Sequence, residues 1–115
     1  MALTRDFKET VKARVERDPA FRTALLTEAV EQMLAGDLAT GKAMLRDYIN
    51  ATIGFDGLAQ KTGTPAKSLM RMFGKRGNPR ADNLFAVIGQ LQKSAGTRLG
   101  VRGVRLRQSR PRRAA

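Results

Sequence analysis

The sequence predicts an all-α fold, a compact bundle of about six helices, and three observations lead to this prediction. Apolar residues recur every three or four positions in successive stretches between residues 3 and 91. Aspartate, proline and glycine separate these stretches at the spacing expected for helix caps. The 115 residues suffice for one hydrophobic core but not for two. We therefore predict a single helical domain over residues 1–97, followed by a basic segment over residues 98–115.

An apolar stripe and a proline-containing cap mark the first two helices. Apolar residues recur every four positions and predict a helix over residues 4–17: Leu3, Phe7, Val11 and Val15. Asp18 and Pro19 suit the N-cap and the first position of a second helix. The apolar positions of this second helix are Phe21, Leu25, Leu26, Ala29, Val30, Met33 and Leu34. We expect the first stripe to pack in the core or in a dimer interface, and contact with a partner protein is the alternative.

Glycines bound the third predicted helix on both sides. Gly36 suits the left-handed end of the second helix, and Asp37 suits the N-cap of the third. The third helix is predicted to run to about Ile53, with one face made of Leu38, Gly41, Met44, Leu45, Tyr48, Ile49 and Thr52. Gly41 on this face would let a neighbouring helix approach closely. Gly54 is expected to end the helix.

The stretch over residues 58–79 predicts a helix-turn-helix, which covers about residues 55–73, followed by a basic loop. Gly63 can adopt the positive φ that the turn requires. Thr64 and Pro65 suit the N-cap and the first position of the second helix, whose unpaired N–H groups would then point toward a phosphate. The positions predicted to hold the two helices on the core are Leu58, Ala59, Leu69 and Met72.

The last predicted helix and the segment that follows it differ in the spacing of their apolar residues. Residues 81–94 carry apolar residues at helical spacing, and Gly96 is expected to end this helix. Its inward stripe is Leu84, Val87, Ile88 and Leu91. Over residues 98–107 the period changes to two, which predicts a short strand or a hairpin that turns at Arg102-Gly103. Because a lone hairpin is marginally stable in water, an ordered strand here would need a partner from a second subunit.

The net charge of +12 is concentrated in two blocks. Residues 1–60 carry eight basic and nine acidic side chains, whereas residues 61–80 carry six basic side chains and no acidic one. Residues 98–115 carry seven arginines and no acid, and residues 108–115 are predicted to be disordered. Cationic blocks beside a neutral half are typical of proteins that bind a polyanion, so nucleic acid is favoured over a merely solvated basic face.

The helix-turn-helix and the loop behind it supply the predicted DNA-contacting residues. This set comprises Thr64, Ala66, Lys67, Ser68, Arg71, Lys75, Arg76, Asn78 and Arg80. Lys67 and Arg71 are four residues apart on the outward face of the second helix, and Arg71 suits a bidentate contact with guanine in a major groove. Lys75, Arg76 and Arg80 suit the phosphodiester backbone and would position the domain.

Several of these motifs resemble one known family. The matching pieces are Leu58-Ala59, Gly63, Leu69-Met70-Arg71, Gly77-Asn78-Pro79 and the apolar helix after it, with Asp18-Pro19-Ala20-Phe21, Gly36-Asp37 and Leu45-Arg46-Asp47-Tyr48 upstream. Over about residues 18–101 the chain is similar to the addiction-module antidote proteins (HigA-like antitoxins) of the phage-repressor-like helix-turn-helix superfamily. The resemblance implies an all-helical, usually dimeric protein that binds double-stranded DNA and represses its own operon. In toxin–antitoxin pairs, such proteins also neutralise a cognate toxin.

The composition disfavours several other functions. Without His and Cys the chain offers no His–Cys metal set and no His-based acid–base pair. We therefore predict no enzymatic activity, no catalytic or metal-ligating residue and no cofactor. There is no apolar run of about 18 residues and no signal-peptide-like start, so we expect a cytoplasmic protein without a membrane partner. Tyr48 and the five Phe are predicted to be core residues rather than base-stacking platforms, because their spacing follows the helix period.

Two alternatives to a DNA-binding regulator stay open at this point. The first is a protein-interaction module, an antitoxin whose main role is to bind and neutralise a partner toxin. Its contact surface would be the first apolar stripe or the 98–107 strand. The second is RNA binding through the arginine-rich tail.

Overall fold

Six α-helices make up the part of the chain that the computed structural model describes, which is residues 5–107 except for the side chains of residues 5–9 and 11. They are α1 (Arg5–Arg17), α2 (Pro19–Leu34), α3 (Leu38–Ala51), α4 (Gly54–Thr62), α5 (Ala66–Met72) and α6 (Ala81–Ala95). No strand occurs among these residues, so the predicted all-α fold is confirmed. None of these helices is both long and apolar enough to cross a membrane. The tail over residues 108–115, predicted to be disordered, lies outside the described residues.

Aspartate caps begin α2 and α3, as the sequence predicts. Oδ1 of Asp18 accepts a hydrogen bond from the N–H of Phe21 (3.1 Å), and Pro19 opens the helix. Oδ1 of Asp37 accepts one from the N–H of Thr40 (3.1 Å). The Phe21 N–H holds the pKa of the Asp18 carboxyl below its usual value, and the hydroxyl and N–H of Thr40 do the same for the pKa of Asp37. Gly36, Gly63 and Gly96 follow α2, α4 and α6 with positive φ, as expected. Gly54 also has positive φ but is the first residue of α4, because α3 already ends at Ala51 with Thr52 as its C-cap.

The core lies between α2 and α3 and is closed by α4, α5 and α6. Its buried side chains are Leu26, Ala29, Leu45, Tyr48, Ile49, Phe55, Leu58, Leu69, Phe73, Leu84, Val87, Ile88 and Leu91. Gly41 allows α2 and α3 to cross closely, because an added Cβ would overlap the side chain of Met33 and lie 3.0 Å from the carbonyl oxygen of Ala29. Val15 of α1 is also buried, which agrees with core packing for that end of the first apolar stripe. The other members of the stripe lie outside the described side chains.

Three apolar side chains on faces expected to pack in the core are exposed instead: Phe85, Leu34 and, to a smaller extent, Leu38 (37%) at the start of α3. Phe85 is 65% exposed, because α6 turns the Leu84 stripe inward and the next position lies to one side of it. Leu34 is exposed to the same extent, because it is the last residue of α2 and lies beyond Met33, which still packs on the core. Phe21 is half-buried beneath the Arg14 guanidinium, which lies 4.3 Å from the centre of its ring.

The strand or hairpin predicted over residues 98–107 does not form. Residues 97–107, here called the C-terminal arm, follow α6 and have no regular secondary structure. The alternation of apolar residues with arginine is present, but the described residues provide no strand for it to pair with. Three of its apolar side chains are therefore left in solvent: Val101 (83% exposed), Val104 (72%) and Leu106 (82%).

Candidate nucleic-acid interface

The turn between α4 and α5 is fixed by glycine and by one threonine hydroxyl. Gly63 adopts φ 75° and its N–H donates to the carbonyl of Ala59 (2.9 Å), as expected for the left-handed end of a helix. The hydroxyl of Thr62 donates to the carbonyl of Leu58 (2.9 Å) and accepts from the N–H of Thr64 (3.3 Å). The two helices of the motif are therefore joined by a short turn whose backbone groups are satisfied locally.

The second helix of the motif begins one residue later than the sequence predicts. Pro65, with ψ 142°, occupies the N-cap position, and its carbonyl accepts the first helical hydrogen bond from Leu69 (3.0 Å). Thr64 is therefore not the N-cap, and no side chain caps α5. The reason is the conformation of Pro65, whose extended ψ keeps this residue outside the helix, so that α5 begins at Ala66.

The faces of α5 are well separated. Leu69 and Phe73 are almost fully buried, and Ala66 is half-buried against the same core. Ala66, predicted to contact DNA, lies three and seven positions before these two buried residues and shares their inward face. Lys67, Arg71 and the large apolar side chain of Met70 (53% exposed) lie on the solvent side of the helix.

The predicted DNA-contacting residues fall into two groups by the exposure of their side chains. Exposed side chains are those of Lys67, Arg71, Lys75, Arg76, Asn78 and Arg80. Thr64 and Ser68 are half-buried, like Ala66. The exposed members lie on α5 and on the segment between α5 and α6, residues 73–80, here called the basic loop. The exposed residues therefore lie on the outward face of α5 and on the basic loop that directly follows this helix in the chain.

Lys42 of α3 holds the basic loop, although it is not among the residues predicted from the sequence. Its side chain is only 6% exposed, and its Nζ donates hydrogen bonds to the carbonyls of Gly74 (3.2 Å) and Gly77. A signal for it exists in the sequence: Lys42 lies three and seven residues before Leu45 and Ile49, two core residues of the same helix. A lysine on a buried helix face needs hydrogen-bond acceptors there, and the loop supplies them.

Gly77 fits the same loop against the end of α5. An added Cβ at this position would overlap the carbonyl oxygens of Arg71 and Met72. The N–H of Gly77 also donates to the carbonyl of Gly74 (3.0 Å), which closes a four-residue turn with Lys75 and Arg76 at its centre. The conformation of the loop is thus determined by a close backbone contact on one side and by the Lys42 ammonium on the other.

The basic side chains of this region are largely free of acidic partners. All six basic residues between positions 61 and 80 are exposed. Arg80 pairs with Asp82 (3.2 Å), an exposed ion pair of little energetic weight. Across the side chains that the structure describes, no carboxylate lies within 4.0 Å of the other five, which are Lys61, Lys67, Arg71, Lys75 and Arg76. Their positive charge is therefore available to an external polyanion.

The second basic block begins in the C-terminal arm and is held much more loosely. The N–H of Leu99 donates to Oε1 of Gln92 (2.7 Å), and the Leu99 side chain packs at the edge of the core. Beyond this point residues 100–107 are all exposed. The four arginines of the arm are Arg98, Arg102, Arg105 and Arg107, and all of them lie in solvent.

No family model, curated protein or solved structure matches this chain. The similarity to the addiction-module antidote proteins therefore stays a prediction from the motifs. The function proposed below is argued from the residues of α4, α5 and the basic loop.

Proposed function

We propose that this protein is a sequence-specific regulator of transcription that binds double-stranded DNA through α5 and the basic loop. In this proposal it acts in the cytoplasm as a dimeric autorepressor of antitoxin type, without a cofactor and without catalytic activity. The observation that carries the proposal is the set of exposed basic side chains on α5 and the basic loop. Of these, only Arg80 has an acidic partner among the described side chains. A helix-turn-helix with a one-signed outward face is suited to a major groove.

The outward face of α5 is assigned to base recognition. Arg71 supplies a planar guanidinium that can contact O6 and N7 of guanine together, and such a pair contributes about 1–3 kcal/mol of discrimination. Lys67 lies one turn earlier on the same face. Met70 lies between them in sequence and exposes an apolar surface suited to a thymine methyl group. Thr64 and Ser68, which are half-buried, are left with contacts at the rim of the surface.

The basic loop is assigned to the phosphate backbone. Lys75, Arg76 and Arg80 are exposed on a loop whose backbone is fixed, and Asn78 adds a neutral hydrogen-bonding group. Contacts of this kind set the register of a protein on the duplex and carry little sequence information. Each phosphate neutralised adds about 0.9 to the magnitude of the slope of log K against log salt concentration.

The test is a binding measurement with the DNA upstream of the protein's own gene and with a scrambled duplex, each at two salt concentrations. We expect tighter binding to the upstream DNA and a steep loss of affinity as salt rises. Replacing Lys67 and Arg71 together by Ala should abolish the preference for the upstream DNA. The matched control replaces Lys12 and Lys93, two exposed lysines outside the motif, and should leave that preference intact.

Two results would contradict this proposal. Equal affinity for the upstream and the scrambled duplex would exclude sequence-specific recognition. A preference that survives the Lys67→Ala/Arg71→Ala double substitution would exclude α5 as the reading element.

The dimeric part of the proposal has its own measurement. A dimer on a palindromic site places two recognition helices about 34 Å apart, one turn of DNA. Footprinting should therefore show two protected half-sites separated by one turn, and light scattering should give twice the chain mass of 12.6 kDa. A single protected half-site bound by one chain would exclude it.

An interaction module that blocks a partner toxin is the second candidate, and the C-terminal arm favours it. Val101, Val104 and Leu106 are exposed large apolar side chains on one short segment, which is unusual for a surface without a partner. Co-expression with the neighbouring gene and purification of the complex would test this function. Loss of the complex after truncation at residue 97 would support it, and the absence of a small toxin-like neighbouring gene would count against it.

A further inference from the structure

Lys42 is a buried cation without an acidic partner. No carboxylate among the described side chains lies within 4.0 Å of its ammonium group, and its two hydrogen bonds go to main-chain carbonyls of the basic loop. These carbonyls are 32 and 35 residues away in sequence. Burying an ammonium group is costly unless it is hydrogen-bonded, and a methionine would fill the same space without that cost. The charge at this position therefore needs an explanation beyond packing.

The position of the two carbonyls supplies part of this explanation. Gly74 directly follows Phe73, the C-cap of α5, and its N–H donates to the carbonyl of Arg71 (3.1 Å). The C-terminal end of a helix carries partial negative charge, and a lysine ammonium near it is stabilising. Lys42 thus ties the end of the recognition helix and the start of the loop to α3, which belongs to the main core.

The geometry of the turn over residues 74–77 supplies the other part of the explanation for the buried charge. Lys42 binds the first and the last residue of the turn, Gly74 and Gly77, and the two residues between them are the exposed Lys75 and Arg76. A buried cation therefore fixes both ends of a segment whose centre presents two exposed cations. Without the ammonium group, both carbonyls would lose their bond to Lys42, the Gly74 carbonyl would keep only the Gly77 N–H, and the turn would lose its link to α3.

We propose that Lys42 is a positioning residue, which presets the basic loop so that Lys75 and Arg76 meet the DNA backbone without further ordering. This inference rests on the proposed DNA-binding function. Lys42 itself is buried and makes no contact with DNA. Its effect on affinity passes through the loop, because contacts made by groups already in position avoid the entropic cost of ordering them on binding.

The test is a double-mutant cycle measured by DNA binding over a range of salt concentrations. Lys42→Met keeps the buried stem and removes the ammonium group. We expect it to lower the magnitude of the salt slope by about 1.8, the value for two lost phosphate contacts at about 0.9 each. Lys75→Ala/Arg76→Ala should do the same, and the triple variant should lose no more than this double variant. All binding measurements are made at a temperature at which circular dichroism shows that every variant is folded.

The cysteine-free chain allows a chemical rescue of the same position. Lys42→Cys, alkylated with 2-bromoethylamine in urea and refolded, regains an ammonium group at the length of lysine and should regain the full salt slope. The same variant alkylated with iodoacetamide gains a neutral amide and should stay impaired. Lys93→Met, which removes an exposed lysine from α6, is the control for loss of one charge and should leave the slope nearly unchanged.

Hydrogen exchange separates failure of this inference from failure of the proposed function. In the free protein, Lys42→Met should speed exchange of the Gly74 and Gly77 amides at least tenfold and leave α4 and α6 protected. Additive losses in the cycle, or unchanged exchange of these two amides, would overturn the positioning role. A wild-type protein that binds neither the upstream nor the scrambled duplex would instead overturn the DNA-binding function on which the role depends.

Discussion

The basic loop and the C-terminal arm carry similar positive charge but are held in opposite ways. The loop has three basic residues and the arm has four, and neither contains an acidic residue. The loop is fixed by two hydrogen bonds from Lys42 and by the close fit of Gly77 against the end of α5. In the arm, one hydrogen bond from Leu99 to Gln92 and the packing of the Leu99 side chain mark its last attachment to the domain.

This difference shows that charge alone does not identify a binding surface. A fixed loop pays its conformational entropy during folding, so its cations can bind phosphates without a further ordering cost. Each long side chain of a loose segment that is immobilised on binding costs about 0.5–1.5 kcal/mol. The same number of charges should therefore contribute more affinity from the loop than from the arm, and the predictions below test this contrast.

The largest contrast is expected between two glycines. Gly77→Ala should lower the free energy of unfolding by about 2–3 kcal/mol, because the new methyl group overlaps two carbonyl oxygens at the end of α5. Gly103→Ala should change it by less than about 0.5 kcal/mol, because nothing lies within 4 Å of the position where its methyl group would be. Urea unfolding followed by circular dichroism measures both. Equal values for the two variants would show that the loop is not packed as described.

The next contrast concerns proteolysis by trypsin, which cleaves after lysine and arginine in both segments. We expect cleavage after Arg102, Arg105 and Arg107 to be at least about a hundredfold faster than cleavage after Lys75 and Arg76. All five side chains are exposed, so the difference would come from the backbone, which must leave its native conformation to enter the protease. Mass spectrometry of the earliest fragments gives the order of cleavage. First cleavage in the loop would reverse the comparison.

The sequence was sufficient to predict most of the fold, because its helix signals are local. Asp18 and Asp37 cap their helices as expected, and Leu84 belongs to the stripe that α6 turns inward. The start of α5 was misplaced because Pro65 is extended (ψ 142°), although residue preferences place proline at the first position of a helix. Caps of this kind depend on the conformation of several residues together, which single-residue preferences do not capture.

The candidate site was predictable only in part, and the reason is tertiary. The outward positions of Lys67 and Arg71 follow from helix periodicity, and the structure has both side chains exposed. Lys42 could not be linked to the loop from sequence, because its partners are two main-chain carbonyls more than 30 residues away. The alternating pattern of the arm predicted a short strand or a hairpin that would need a partner from a second subunit, and the described residues contain no strand with which it could pair.

A smaller contrast concerns DNA affinity after removal of two charges from each segment. Lys75→Ala/Arg76→Ala should weaken binding of the upstream DNA about tenfold, whereas Arg105→Ala/Arg107→Ala should weaken it about threefold or less. Both variants lose the same formal charge, so long-range attraction changes equally and the difference reports the positions of the side chains. Fluorescence anisotropy at a fixed salt concentration measures both. An arm variant that loses as much affinity as the loop variant would show that the arm is also held on the DNA.

The smallest effect on stability is expected at the start of the arm, where Leu99 is attached to α6. Gln92→Ala removes the acceptor of the Leu99 N–H, and the loss of one hydrogen bond of this kind costs about 1 kcal/mol, partly offset by the higher helix propensity of alanine. We therefore expect little change in the free energy of global unfolding. Exchange of the Leu99 amide should become about fivefold faster, because a loss of about 1.4 kcal/mol corresponds to about tenfold and a loss of about 1 kcal/mol to about fivefold. Gln90→Ala on the same helix is the control, because no hydrogen bond of the Gln90 side chain is found among the described residues.

The outcome of this substitution decides how the arm is attached. If exchange of the Leu99 amide rises and cleavage after Arg102 stays as fast as before, the Gln92 bond fixes only the first residues of the arm. If exchange does not change, the packing of the Leu99 side chain on the core is sufficient to hold the start of the arm. In that case Leu99→Ala should release it, with a loss of stability of about 1–2 kcal/mol for a partly buried leucine. The loop differs, because loss of the Lys42 bonds would detach it from α3 while Gly77 would still pack against the end of α5.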